Sequence, residues 1–560
     1  MRPLIGLALV IVLTVLATLA DVARTKLWDS YVNYTSPYLA PLPQDAPEPA
    51  LTPRVVMVLV RGLRADVSRS LPTLNKLREN GADITLELDP PLLRLPLLMT
   101  LFSGANVETH GISANQGLRD QVGADTIFLE LHTREKFSSI VGSEVWDTLF
   151  GSTVSLEYAD NDEQAVQAGI NILNDPAIKP NFVGIELTLN ESSTSAGANA
   201  QRLSLDANLA RLMSAIDLNK NTLIVVADRG VVSNSVGSGL RFGLSEAEEL
   251  AAARVPLVMA GAGIRSVRAA VKANAVAPTL AILLGVPIPM HAQSIPILPA
   301  LQLSGRSLIE TADHSAAQLT TFYENWAAVI RQPRFAAEFY QSQRPQLRAS
   351  TDARPLQNFE TALNTRHQTA LDAQLRSDKL LRLPLLGGTV LCIIGFLGLL
   401  ISQRIWLPFL GAVLYAGGWA ALFFYGRQDR FSFSMFLDAN PFPFLASVGR
   451  DNISIVLLVG LIMTLLAGRN APQALYAVTD VLSTLALIVF TQALGVMWFV
   501  WQWDYTFTQF LPDSGVFTLA LVALTQIASL SQPIIGFNVP IPLALCIFSL
   551  LMYALVGKKL

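Results

Sequence analysis

An arginine, Arg61, closes a run of six apolar residues, Val55–Val60, just ahead of Gly62. A short run that is apolar on both faces suits a strand buried in a parallel sheet. The carboxyl ends of such strands are where ligands and catalytic groups gather. A guanidinium there offers one kind of chemistry. It stays charged at any working pH, so it is no base, and its planar fork matches phosphate, sulfate or carboxylate. Other reactive side chains are sparse. Five histidines, His110, His132, His291, His314 and His367, show no paired spacing, and the two cysteines, Cys392 and Cys546, lie inside apolar runs. Neither set makes a metal-ligand pattern or a disulfide framework. Ser192, Ser193, Thr194 and Ser195 form a dense hydroxyl cluster, a composition common in solvated turns.

The elements that must position Arg61 follow from composition. The chain has 560 residues, 51% hydrophobic and only 15% charged, with a mean hydropathy of +0.42. That is too apolar for a wholly soluble protein and too polar for a wholly membrane one, so the chain is split, and its length implies more than one domain. A net charge of -3 gives no reason to expect nucleic acid.

Residues 1–26 read as a transmembrane anchor or a signal peptide: Arg2 precedes the apolar run Leu4–Ala20, and Thr18-Leu19-Ala20 is a passable cleavage site. An uncleaved anchor is favoured because the far end of the chain is also apolar. Residues 27–53 are a spacer whose proline density, Pro37–Pro53, keeps it extended.

Residues 54–302 alternate strand-like and helix-like segments. Strands are expected at Val55–Val60, Phe182–Leu187, Thr222–Ala227 and Pro256–Ala260, and helices at Leu71–Asn80, Glu163–Leu173, Arg202–Ile216 and Ala273–Leu284. The implied class is α/β, a mostly parallel sheet with helices on both faces. Residues 303–382 read as amphipathic helices linking this domain to the membrane, with Phe322, Tyr323, Trp326, Phe335, Phe339 and Tyr340 at near-helical spacing. Packing is the expected use of that stripe.

Residues 383–560 read as an all-α polytopic membrane domain of about six helices, near Leu385–Ile401, Ile405–Tyr425, Ile453–Ala467, Leu482–Val500, Val516–Leu530 and Ile541–Val556. With the N-terminal segment this makes roughly seven helices. Trp498, Trp501, Trp503 and Tyr505 suit an interfacial belt. No charge sits in the middle of these runs, which argues against an ion-coupled transporter and leaves room for a lipid-facing groove. If every run crosses, the large domain shares a side with Arg376, Lys379, Arg382, Arg427, Arg430, Arg450, Lys558 and Lys559, against Arg2, Arg404 and Arg469 opposite. Loop charge then favours a cytoplasmic large domain, although long domains translocate largely regardless of charge.

Several stretches, in order, carry a family resemblance. They are VVMVLVRGLRAD from Val55, LPTLNKLRENGADIT from Leu71, LMTLFSGANVETHGI from Leu98, NTLIVVADRG from Asn221, VPLVMAGAGI from Val255 and AVAPTLAILLGVPIP from Ala275. Together they resemble the alkaline-phosphatase superfamily, in its type I phosphodiesterase/nucleotide-pyrophosphatase-like branch. The division into N-terminal helix, soluble domain and polytopic C-terminal half is similar to that of the ethanolamine-phosphate transferases of GPI-anchor synthesis. That resemblance implies an extracytoplasmic large domain, in conflict with the loop charges.

The resemblance also implies two divalent metals, usually zinc, held by Asp and His, and a Thr or Ser nucleophile. Dications neutralise phosphoryl oxygens and lower the nucleophile's pKa. This sequence departs from that pattern. The metal-binding Asp at the first strand end is Arg61, and the nucleophile position, aligned through Pro96 and Thr100, falls on Arg94, with Leu97 and Leu98 beside it. The ligands after the strand Phe182–Leu187 fall near Asn190 and Thr194, the Asp-His pair is Asp228-Arg229, and the late His is near Gly239. Only Asp228 survives as a ligand, and one carboxylate cannot hold two zinc ions. His110 belongs to the family's THGI turn.

The reading is therefore a catalytically degenerate, membrane-anchored protein with no catalytic or metal residues. Arg61, Arg94, Arg229 and Arg241 are its candidate anion-binding residues and Asp228 a paired acid. Either the guanidiniums bind an external oxyanion, or they pair with Asp228 and other leftover acids. The expected role is scaffolding or lipid-headgroup binding, with membrane lipids and membrane-protein subunits as partners and no cofactor. The alternative is an active phosphoethanolamine-type transferase or phosphodiesterase, with two zinc ions on shifted ligands and a hydroxyl from the Ser192–Ser195 cluster.

Overall fold

The computed structural model describes the chain except for residues 1, 45–48, 116–122, 178, 190–194, 232–245, 350–351, 423–441, 503–510, 512–513, 535–536 and 557–560. Two compact units emerge. One comprises Val32–Gly237 with Ser245–Gln374; the other comprises Met1–Tyr31 and Leu375–Leu560.

The first unit is built on an eight-stranded sheet: β1 Val55–Arg61, β2 Ala82–Glu87, β3 Ser138–Gly142, β4 Ser155–Tyr158, β5 Phe182–Thr188, β6 Thr222–Val226, β7 Arg254–Gly261 and β8 Val267–Lys272, in the order β4-β3-β5-β1-β6-β7-β2-β8. The pairs are parallel except where β7 runs antiparallel to β6 and β2. The four expected strands are all present. β2, β3, β4 and β8 are additional; they are short, and β4 and β8 form the exposed edges.

β1 lies mid-sheet, with Val55–Val60 buried to the last atom or nearly so. Each such side chain contributes about 1.5–3 kcal/mol on burial. The register Leu59↔Glu186 and Arg61↔Thr188 fixes what stands at the strand tip. The four expected helices form as Pro72–Asn80, Asp162–Asn174, Ser195–Ser214 and Val276–Leu284, the last preceded by a 3-10 turn. Helix Arg94–Ser103 buries nine of its side chains, and its Phe102 packs in an aromatic cluster with Phe128, Trp146, Phe150 and Phe182.

The helical segment after residue 303 belongs to this unit up to Gln374. Gln318 Nε2 donates to the carbonyls of Pro289, Met290 and Ala292, and Ser294 Oγ donates to Glu360. Its aromatic stripe packs: Phe322, Tyr323, Trp326 and Tyr340 are buried, and Phe339 stacks on Phe359 at 5.3 Å.

Among the described residues, four helices are long and apolar enough to cross a membrane: Leu4–Val32, Arg354–Ser402, which begins in the first unit and continues into the second, Phe442–Arg469 and Ala474–Gln502. Leu407–Ala421, Gly515–Ser531 and Ile541–Leu555 are apolar but shorter. The chain is a membrane protein on this count. Among the helices lies an uncharged polar cluster that the hydropathy pattern does not reveal. Tyr415 Oη donates to Asn452 Oδ1 at 2.7 Å, Gln492 Nε2 to Tyr415 Oη at 2.6 Å, and Asn452 Nδ2 to Ser529 Oγ at 3.0 Å. Lys379 lies 5.7 Å from the Trp501 ring centre and donates to Gln502. That is the cation–aromatic pairing expected at an interfacial level. Trp503 and Tyr505 lie outside the described residues.

Candidate functional site

Four chain segments bring the site together at the carboxyl ends of the central strands. β1 delivers Arg61, β5 delivers Glu186, the turn after β6 delivers Asp228 and Arg229, and the first residue of helix Arg94–Ser103 is Arg94. The turn after β1 needs glycine. Gly62 has φ +84°, and a Cβ there would sit 2.4 Å from the Leu189 carbonyl oxygen. That tight turn lets Gly62 bridge to Gly230 and aims its N–H at Asp228 Oδ1, 3.3 Å away.

Glu186 is the centre of the arrangement, and sequence reading misses it. Its side chain is 5% exposed and is hydrogen-bonded by Arg94 Nη2. Arg61 Nε stands 3.5 Å from the same oxygen, Oε1. The other oxygen, Oε2, accepts from the Ser143 hydroxyl at 2.9 Å, the Ser143 N–H at 3.2 Å and Trp146 Nε1 at 2.9 Å. Arg94 Nη2 also donates to Ser143 Oγ at 2.8 Å. A signal was present in the sequence. A carboxylate inside an apolar strand must be paired, so Glu186 in FVGIELT announced a cation nearby.

Asp228 is buried and accepts from the N–H groups of Gly62 and Arg229, the latter at 2.7 Å. Among the described residues no guanidinium is hydrogen-bonded to it. Asp228 is the expected paired acid; the carboxylate that pairs with Arg94 and Arg61 is instead Glu186, while Asp228 accepts from backbone N–H groups. Burial pushes the Asp228 carboxyl above the ordinary range, and the charges of Arg229, Arg94 and Arg61 oppose that push. Burial likewise raises Asp162, whose Oδ1 accepts the Thr188 N–H at 3.0 Å. Arg94 is lowered by burial, with Glu186 opposing. Arg229 turns its guanidinium to the Leu92 carbonyl at 3.2 Å. The Arg61 side chain is 36% exposed, against 12% for that of Arg94. Arg241, Asn190, Gly239 and the hydroxyls Ser192–Thr194 lie outside the described residues; Ser195 opens helix Ser195–Ser214.

The donor set can be tested against two zinc ions. Zinc takes about four N, O or S ligands in a structural site and three plus water in a catalytic one. Among the described residues, no three His, Cys, Asp or Glu side chains group so as to hold a metal. The carboxylates here are already engaged by Arg94, Ser143, Trp146 and backbone N–H groups, and the guanidiniums of Arg61 and Arg94 stand beside Glu186. These residues do not fit a two-zinc centre. His110 is committed elsewhere. Its Nδ1 accepts the Ile112 N–H at 3.1 Å, its Nε2 lies 3.1 Å from Thr100 Oγ1, and burial drops its pKa to about 3.

Comparison with known proteins places these observations. Several solved structures resemble the chain. A 2-O GAG sulfatase shares 11% identity at a TM-score of 0.36, covering 45% of this chain and 74% of its own. An alkaline phosphatase superfamily protein from Vibrio parahaemolyticus shares 15% at 0.34, covering 50% and 76%. Murine ectonucleotide pyrophosphatase/phosphodiesterase 5 shares 14% at 0.33, covering 42% and 96%. No curated protein matches. Residues 55–155, which hold β1, Arg61 and Arg94, match the family model of type I phosphodiesterase/nucleotide pyrophosphatase, the branch of the alkaline-phosphatase superfamily to which the ordered motifs point.

Proposed function

We propose that this protein is a catalytically degenerate, membrane-anchored relative of the phosphodiesterases, and that its cleft receives an oxyanion without turning it over. The observation that carries the reading is the contact of Arg94 with Glu186. The position matched to the nucleophile holds a cation, and that cation is neutralised from within the sheet. Arg61 and Arg229 remain at the cleft's mouth with donors suited to a phosphate or sulfate group, such as that of a lipid headgroup. Arg94, Glu186, Ser143 and Trp146 form the rigid wall behind them.

The test uses the purified full chain in detergent. Zinc and manganese are measured by elemental analysis, hydrolysis is followed with bis-p-nitrophenyl phosphate, and phosphate and sulfate binding are followed by calorimetry. Expected are sub-stoichiometric metal, no turnover above blank, and anion binding weakened in Arg61→Ala and Arg229→Ala. Stoichiometric zinc with metal-dependent turnover would reinstate the transferase or phosphodiesterase reading. Anion binding that is unchanged in both variants would remove the cleft as its site.

A further inference from the structure

A second concentration of guanidiniums lies on the sheet's outer edge. Asp83 of β2 is buried, and three arginines reach it. Arg78 Nε donates to Oδ1 at 2.9 Å and Arg69 Nη1 to Oδ2 at 2.8 Å, while Arg268 Nε stands 3.6 Å from Oδ2. Their roles differ. Arg78 is 7% exposed and spends its remaining donors on the Ser68 carbonyl, Ser68 Oγ and Asn75 Oδ1. It is a structural strut. Arg69 and Arg268 are 53% and 86% exposed. Among the described residues, no other carboxylate forms an ion pair with them. One negative charge thus holds three positive ones, whereas the neighbouring pairs on the same edge, Lys272–Asp89 and Arg254–Glu87, are balanced one to one.

This arrangement makes a ready anion site. A guanidinium carries five N–H donors in a fixed fork, and Asp83 uses only one from Arg69 and at most one from Arg268. Both forks converge on a single oxygen, Asp83 Oδ2, which holds the two guanidiniums side by side. β8, which carries Arg268, is an edge strand that pairs with β2, and both arginine side chains are open to solvent. Like charges held together by a buried carboxylate are relieved when an anion binds.

We propose that Arg69 and Arg268, organised by Asp83, form an oxyanion-binding subsite that takes a phosphate or sulfate group, separate from the cleft at Arg61. The group can belong to a soluble ester or to an anionic lipid; the two sources are told apart below.

The test uses the full chain in phosphatidylcholine nanodiscs, in an Arg61→Ala/Arg229→Ala background so that the cleft does not contribute. Inorganic phosphate is titrated by calorimetry, and association with phosphatidylglycerol vesicles is followed by flotation. Adding Arg69→Ala and Arg268→Ala should weaken binding by roughly tenfold or more. Lys272→Ala, whose ammonium is paired with Asp89, should leave it unchanged. Variant-sensitive phosphate binding supports the subsite with a soluble source, and variant-sensitive flotation alone supports it with a lipid source. Binding that is absent in both arms, or indifferent to the arginine pair, overturns the proposal. Equal melting temperatures for the background and the added variants exclude misfolding as the cause, because both side chains are surface-exposed.

Discussion

The guanidinium of Arg94 and the carboxylate of Glu186, 92 residues apart in sequence, are in hydrogen-bond contact beneath the carboxyl end of the sheet. A buried pair of this kind is asymmetric in its energetics. Breaking it strands one uncompensated charge and costs about 3–5 kcal/mol, whereas replacing both members with apolar residues of similar volume is often neutral. Glu186→Met or Arg94→Met alone should therefore lower the unfolding free energy by about that amount. Arg94→Met with Glu186→Met should recover most of it. Urea denaturation of the four corners of the cycle checks this, and a single mutant within about 1 kcal/mol of the parent would show that the pair is dispensable.

Trp146 serves the same carboxylate from the other side. Its Nε1–H donates to Glu186 Oε2 at 2.9 Å while its ring packs 5.3 Å from Phe102 and 5.8 Å from Phe150, centre to centre. Trp146→Phe keeps much of the packing and removes the donor. A hydrogen bond to a charged group is worth about 1.5–3 kcal/mol, so a loss in that range is expected, and it should shrink in the Glu186→Met background. An equal loss in both backgrounds would assign Trp146 to packing alone.

At Gly62 two costs combine. Its φ of +84° is unfavourable for any residue with a Cβ, and that Cβ would meet the Leu189 carbonyl oxygen at 2.4 Å. Strained backbone of this kind costs on the order of 1–3 kcal/mol before any clash is counted. The turn must then shift, taking the N–H away from Asp228. Gly62→Ala should give little folded protein by size-exclusion and circular dichroism. A well-folded Gly62→Ala protein would refute the tight-turn account of the Arg61 position.

Much of the fold could be read from the residues, and the reasons for the exceptions are physical. Val55–Val60 announces itself because a strand buried on both faces is continuously apolar. β2, with Asp83 inside it, and β8, VRAAVK, do not. Both are short and carry charges: β8 is an edge strand, where charges are tolerated, and the β2 carboxylate Asp83 is paired by arginines. β7 is apolar like its neighbours, and nothing in such a run tells an antiparallel strand from a parallel one. At the site, Arg61, Arg94 and Arg229 were legible because they stand where the motif has other residues, and Asp228 because it keeps the motif's acid. Glu186 was passed over because it matches no motif position and was absorbed into an apolar run. The polar cluster of Tyr415, Asn452 and Gln492 escaped for a related reason: windowed hydropathy averages uncharged polar residues away.

Stability should fall as pH rises toward 8, through a buried carboxyl pair. Asp125 Oδ2 and Glu130 Oε1 both accept from Gln44 Nε2, at 2.9 and 2.7 Å, and Met290 N–H donates to Asp125 Oδ2 at 2.8 Å. His291 faces the same site with Nδ1 accepting the Asp125 N–H, so it supplies no positive charge there. Burial, reinforced by the Glu130 charge, pushes Asp125 up to about 8. A carboxyl raised on folding favours the protonated form. Its contribution is fully present below the unfolded value of about 4 and is lost as pH climbs through 8, at no more than about 1.4 kcal/mol per pH unit. His110 works the other way. Lowered to about 3, it favours the folded state above its unfolded value of about 6.5 and destabilises it only as pH drops below that. The interval from about 6.5 to 8 therefore excludes His110 and reads the raised carboxyls, among which the Asp125→Asn comparison picks out Asp125. Melting temperature should decline across it in the parent and stay flatter in Asp125→Asn, which keeps the shape without the proton. Parallel slopes in the two proteins would mean that the pair is already ionised at neutral pH.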